Sequence, residues 1–357
     1  MKTLEEKIEI ISIIQTFSGL FSLFGSLSIL SILLRIEGKL CSTYRRLVFG
    51  MSMSDALASA AFVLCAVPTI GESACSIQGF FVHIGVLTTP SYNFALCVYY
   101  LLTVRFERNE IWVQKRVEPI LHFLALSWPI GTGIFLLVTK NFNPTGPNCW
   151  IGPSPRNCLI DPNIECERGQ NSYKYRWWFA GYQVIFIFVF IVISMIFLCT
   201  GILRREQRLS MIGSRQIQSE DNKEEKDDSS LENTSIDDPA LHSMELSSAS
   251  KKILKKQLVT QALIYAAAYL VPAIFPLVFN VTLTKTGQRN FVLWVFVGIF
   301  MPMQGFFNFF VYIRPRVLAL RNSNFDISLW KAIILTVKAE EPQRNEHVPN
   351  AQEIEVL

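Results

Sequence analysis

The sequence predicts an all-α membrane protein, a bundle of seven transmembrane helices. Two observations predict it. Seven apolar stretches of about 20 to 28 residues recur along the chain, and roughly 20 apolar residues rising 1.5 Å apiece cover a hydrocarbon core of about 30 Å. Hydrophobic residues make up 50% of the chain and charged residues 17%, and the charges gather between the stretches instead of within them.

The stretches run 10–34, 47–69, 77–104, 119–138, 177–203, 258–281 and 291–313. Lys and Arg near membrane ends are retained in the cytoplasm, which orients the bundle. Arg35, Lys39, Arg45 and Arg46 follow the first stretch, and Arg105, Arg108, Lys115 and Arg116 follow the third. No Lys or Arg lies between the second and third, and only Lys285 and Arg289 between the sixth and seventh. The N-terminus is therefore expected outside and the C-terminus in the cytoplasm. One connection dissents, with Lys140, Arg156, Arg168, Lys174 and Arg176 on the expected outer side. It is long, and charge governs long loops weakly.

Residues 1–9 form an expected extracellular tail, too short to fold into a ligand-capturing domain, and no cleavable signal is read there. Residues 204–257 form the expected third cytoplasmic loop. Its centre, SEDNKEEKDDSSLENTSIDD, has almost no apolar residue, cannot bury a core, and is expected to be disordered. Its basic ends, Arg204 and Arg205 after the fifth stretch and Lys255 and Lys256 before the sixth, are candidates for facing a cytoplasmic partner or anionic lipid. Ser229, Ser230 and Ser235 each precede an acidic residue and are candidate phosphorylation sites beside those ends. The tail 314–357 carries an expected amphipathic helix at 326–338, with Trp330, Ile333, Ile334 and Val337 at helical spacing and Lys331 and Lys338 among them.

Four of the eight cysteines, Cys75, Cys149, Cys158 and Cys166, fall on the expected outer side, where oxidation is permitted and three pairings are open. Asp55 is the acidic residue deepest in any stretch. A charge there costs about 2.5–3.5 kcal/mol unless partnered. It sits about 12 Å from the inner end of its helix and Asn308 about 8 Å from the end of the seventh, near enough to meet through a water or an ion. Such a polar core, with Gln304 and Tyr312 beside it, has two satisfiable arrangements and suits a two-state bundle. His83, Tyr92, Tyr265, Tyr269 and Trp294 are candidate pocket residues in the outer or middle helix portions.

Several motifs resemble those of the G-protein-coupled receptors, and within them the cyclic-AMP-receptor-like branch and its secretin-like relatives. Ser54-Asp55 resembles the Ser/Ala-Asp pair of the second helix. The run Cys75-Ser76-Ile77-Gln78-Gly79-Phe80-Phe81 resembles the branch's cysteine followed by Gln-Gly-Phe, and Cys149-Trp150-Ile151 its Cys-Trp-Ile. Gln304-Gly305-Phe306-Phe307-Asn308 with Val311-Tyr312-Ile313-Arg314-Pro315 is similar to its last helix. The Asp-Arg-Tyr triplet of rhodopsin-like receptors is absent from YYLLTVRFERNE, where Arg105 is the nearest candidate to face a G protein. Phe309 stands where those receptors place proline, so Pro272 and Pro276 in the sixth helix become the hinge candidates.

The resemblance implies disulfides Cys75–Cys149 and Cys158–Cys166. It also implies a plasma-membrane receptor for an extracellular ligand that couples to a heterotrimeric G protein and toward cyclic-nucleotide signalling. It implies no catalytic residue, metal, cofactor or nucleic-acid partner. A retinal protein needs a lysine in the seventh helix, which holds none, and four scattered histidines cannot assemble a seven-helix metal hydrolase. A seven-helix transporter or channel is the alternative, against which stands the lack of a visible internal repeat.

Overall fold

The computed structural model describes residues 3–35, 41–64, 71–156, 158–159, 163–201, 239–286, 289–323 and 327–338, with the side chains of 239–255 excepted. Among the described residues six helices are long and apolar enough to cross a membrane: α1 (Leu4–Arg35), α2 (Thr43–Val63), α3 (Glu72–Arg105), α4 (Glu110–Val138), α5 (Ser172–Gly201) and α6 (Pro239–Thr286), whose spanning part begins at Lys256. A bent pair, α7 (Phe291–Phe300) and α8 (Gln304–Ser323), completes a seventh span with an angle of 46° between its halves. The chain is a multi-pass membrane protein.

Its burial pattern is that of a protein whose solvent is lipid. Phe24 is 67% exposed and Phe123 68%, while Ser22, Ser26 and Asn308 are wholly buried. A water-soluble fold would place these the other way round, whereas helices in lipid pack on small and polar residues. Where α1 meets α8, Gly25 faces Gly305: a Cβ on Gly25 would stand 2.8 Å from the Gly305 carbonyl oxygen and 2.9 Å from the Phe306 Cα. The Ser22 hydroxyl in that seam accepts from the Gly305 backbone N–H at 2.9 Å and from Ser59 at 2.8 Å. Three helices are thereby fastened at one point.

Helix α3 runs through the middle of the bundle, packed on α2, α4 and α6, while α1 contacts α2 and both halves of the seventh span. Phe94 packs against Phe190 to join α3 to α5, and Phe135 meets Phe179 to join α4 to α5. A short antiparallel hairpin, β1 (Phe142–Pro144) with β2 (Cys149–Ile151), covers one end of the bundle. The opposite end holds the largest apolar cluster, built around Tyr44, Tyr99, Tyr100, Tyr265 and Tyr312. A further helix, α9 (Leu329–Lys338), buries Ala332 and Thr336 and packs on α8, leaving Trp330 74% exposed.

Two expectations are corrected. Residues 239–257 are helical, continuous with α6, because the acidic and serine-rich centre gives way to good helix formers after Pro239, a residue preset for a first helical turn. Helix α4 starts at Glu110 instead of 119, its polar first turns capped by Asn109, whose side chain accepts from the Ile111 N–H. The hinge candidates Pro272 and Pro276 lie within a continuous α6, and a break falls at Met301–Met303 in the seventh span. Pro302 sits in that break; lacking an N–H and clashing with the preceding turn, it ends α7.

Candidate functional site

The hairpin is a lid with several fastenings. Cys149 on β2 is bonded to Cys75 in the first turn of α3, and Cys158 to Cys166 closes a small loop beside it. Gln78, one turn below Cys75, donates Nε2 to the Ala61 carbonyl of α2 at 3.1 Å and accepts from the Cys149 N–H at 3.3 Å. One amide side chain thus ties α2 to the hairpin. The next residue must be small, since a Cβ on Gly79 would meet the Phe142 ring at 2.9 Å. Arg168 pairs with Glu72 at 2.9 Å, and Arg176 at the start of α5 donates Nε and Nη2 to the Ile151 carbonyl at 3.2 and 2.5 Å. Hairpin, α3 and α5 are held as one unit.

Beneath the lid lies a cavity of about 210 Å³. Trp150, Arg176, Trp177, Arg289 and Trp294 line its lidded end, and Gln15, Asp55, Thr89, Tyr269 and Gln304 its depth. Pro272 and Pro276 face it from α6. Of the five candidate pocket residues, Tyr269 and Trp294 are on the wall. The other three are placed elsewhere. His83 is buried between α3 and α4, its Nε2 3.0 Å from the Thr132 hydroxyl, and Tyr92 turns to His122 at 3.0 Å. Tyr265 reaches the Tyr44 hydroxyl at 3.1 Å in the apolar cluster of the opposite end. Depth along a helix is readable from sequence, but the face is not when a span is apolar all round. Arg176 and Arg289 had a signal: both are among the few basic residues on the side that the charge rule expected to lack them.

At the cavity floor the polar core is assembled by direct bonds. Asn308 donates Nδ2 to Asp55 Oδ2 at 2.7 Å and Thr89 donates its hydroxyl to Oδ1 at 2.6 Å. The expected bridging water or ion is not needed, because the Gly25–Gly305 contact brings α8 in close. Gln304, also on the cavity wall, lies 3.4 Å from the Asn308 oxygen and 3.4 Å from the Ala268 carbonyl of α6. A chain of polar contacts therefore leads from the cavity to α2, α3, α6 and α8. Tyr312 stands one turn further on, buried in the tyrosine cluster.

The end away from the lid has its own fastening. Glu118 of α4 accepts from the Thr43 hydroxyl at 2.6 Å and makes a two-pronged ion pair with Arg46 of α2, one prong at 2.8 Å. Arg105 closes α3 in a π-helical turn, exposed, its guanidinium over the Phe197 ring at 5.5 Å. Lys256 is exposed at the start of the spanning part of α6. Arg204, Arg205, the Lys255 side chain, Ser229, Ser230 and Ser235 lie outside the described residues. Among the described residues no three His, Cys, Asp or Glu side chains gather to hold a metal.

No family model and no curated protein sequence matches this chain. Its fold is similar to that in a crystal structure of squid rhodopsin, with a TM-score of 0.61 over 96% of this chain and 94% of that one, at 10% sequence identity.

Proposed function

We propose that this chain is a G-protein-coupled receptor of the cyclic-AMP-receptor-like kind with secretin-like features. It transmits an extracellular signal, a small ligand bound within the bundle, to a heterotrimeric G protein and on toward cyclic-nucleotide signalling. The lidded end faces the outside and the tyrosine cluster the cytoplasm, in the plasma membrane. The fold shared with squid rhodopsin supports a receptor of this general type.

The observation that carries the reading is the continuity of cavity and switch. Gln304 and Asp55 line the cavity and are also members of the network that fixes α8 against α2 and α3. A ligand that touches the floor changes the balance between this arrangement and another, and α8 begins just past the break at Pro302, where a change of angle costs few backbone hydrogen bonds. Only a difference in affinity between the two arrangements signals; moving from 1:99 to 99:1 takes about 5.5 kcal/mol. At the cytoplasmic end Arg105, Lys256 and the basic residues flanking the third loop face the G protein.

The test is to express the full chain with G-protein α subunits and measure nucleotide exchange, basally and across a panel of small organic ligands. Exchange above that of membranes lacking the chain is expected. Ion or solute flux through vesicles holding the chain, with no exchange, would replace the receptor by a transporter or channel. An epitope at the N-terminus should be reached by antibody on intact cells.

A further inference from the structure

Four buried polar atoms on the cavity wall lack a hydrogen-bond partner among the described residues: Gln15 Oε1, the Tyr269 hydroxyl, Trp150 Nε1 and Arg289 Nη1. An unmet donor or acceptor inside a protein is costly. Water can meet any one of them, so what discriminates is charge. Arg289, partly buried, lies over the Trp294 ring at 5.2 Å, and burial, then the nearby charge of Arg156, hold its guanidinium below the ordinary range. Arg176 also feels Arg289, but it is committed, stacked on Trp150 at 5.7 Å and donating to the hairpin. Arg289 is thus within reach of the charges of Arg156 and of Arg176, and none of the three joins a described ion pair.

Among the described residues the one carboxylate on the wall, Asp55, lies at the far end with both oxygens already accepting bonds. A cationic ligand would have to pass the arginines to reach an acid that is already satisfied. An anion meets a charged donor in want of an acceptor, in an enclosed site where such a bond is strong. Between the two ends the wall is largely apolar, with Phe279, Leu277, Val184 and Phe300. The α6 residues that line it, Tyr269 to Leu283, span roughly 20 Å at 1.5 Å per residue.

We propose that the cavity takes a small organic anion, a carboxylate or phosphate. Its charged group sits on Arg289 Nη1 and Trp150 Nε1 in the field of Arg156, its aromatic or aliphatic body lies along the apolar wall, and its far end offers a donor to Gln15 Oε1. This deepens the receptor reading and rests on it only in taking the cavity for the ligand site.

The experiment uses the purified full chain in phosphatidylcholine nanodiscs, without G protein, so that a failure of coupling does not imitate a failure of binding. Equilibrium dialysis compares 2-naphthyl phosphate with 2-naphthol. The phosphate should bind about tenfold more tightly, with the advantage shrinking as salt rises. Arg289→Gln should bring the ratio to about one, Arg289→Lys should restore part of it, and Arg156→Gln should reduce it. Equal binding of phosphate and naphthol, or an advantage that survives Arg289→Gln, overturns the proposal. Should that variant not fold, the ratio and its salt dependence in the unaltered chain still decide. Phosphatidic acid added to the nanodiscs separates two sources of the same chemistry: competition that Arg289→Gln abolishes identifies a lipid headgroup, and its absence beside tight phosphate binding identifies a soluble anion.

Discussion

Replacing Asn308 with alanine removes the donor that holds α8 to Asp55 and leaves that carboxylate with Thr89 alone. A hydrogen bond to a charged group contributes about 1.5–3 kcal/mol, and the 2.7 Å separation puts this one among the well-made examples. The Gln304 contacts that also vanish or loosen are 3.4 Å long and add little. About 2 kcal/mol is a factor of ~30 in an equilibrium. If the arrangement described here outweighs its alternative by ~99:1, the ratio falls to ~3:1, and the minor state rises roughly twentyfold. Basal nucleotide exchange per copy of the chain at the cell surface, the readout of the proposed function, is the assay. Asp55→Ala supplies the control, since the two substitutions remove the same contact and their combined effect should fall well short of the sum. A basal rate changed less than twofold at normal surface abundance, or effects that simply add, would refute the claim that this bond is part of the switch.

Other substitutions test the frame around it. Gly25→Ala places a Cβ 2.8 Å from the Gly305 carbonyl oxygen, and the overpacking should cost about 1–3 kcal/mol, seen as a lower melting temperature in detergent; an unchanged melt would mean the seam is loose. Glu118→Gln weakens a pair whose side chains are 22% and 8% exposed, between the surface and buried extremes, so about 2 kcal/mol is expected, with Arg46→Ala adding little once Glu118 is neutral. Cys149→Ser opens a loop of 74 residues. Chain entropy sets an upper bound of about 4 kcal/mol, an upper bound because insertion in the membrane already restricts the free chain. Melting with and without reductant measures it, and a shift no larger than that of Cys158→Ser would show that the lid does not depend on this bond.

The membrane helices are legible because lipid imposes one requirement on every span, a length of apolar residues, and that requirement is written locally. Where a second, non-local term enters, legibility drops. Helix α4 begins well before its apolar run because Asn109 can cap it and polar turns extend past the hydrocarbon. The bend of the seventh span lies at Pro302, about two turns before the position where rhodopsin-like receptors place proline, and Phe309 therefore does not make the span straight. Composition alone reads 239–257 as part of a disordered loop, yet those residues continue α6, because helix formers adjoining an existing helix need no new nucleus.

The polar core and the cavity differ in the same way. Asp55 announces itself, since a carboxylate at that depth must have a partner, and depth arithmetic on two helices points to Asn308. Thr89 carries no such signal; threonines in helices commonly bond their own backbone, and only the face that α3 turns toward α2 makes this one a donor to Asp55. The same ambiguity of face scatters the aromatic candidates, leaving Tyr269 and Trp294 on the cavity and sending Tyr92 and Tyr265 to His122 and Tyr44. Arg289 was visible as an exception instead of a motif, a cation on the side expected to be poor in them. In a membrane protein a basic residue that breaks the charge rule lacks the usual reason for its place, and here Arg176 and Arg289 have another: one fastens the lid and the other leaves a charged donor open to the cavity. Reading such exceptions as candidate ligand contacts, before any aromatic is considered, would have found the lidded end of this site from the sequence.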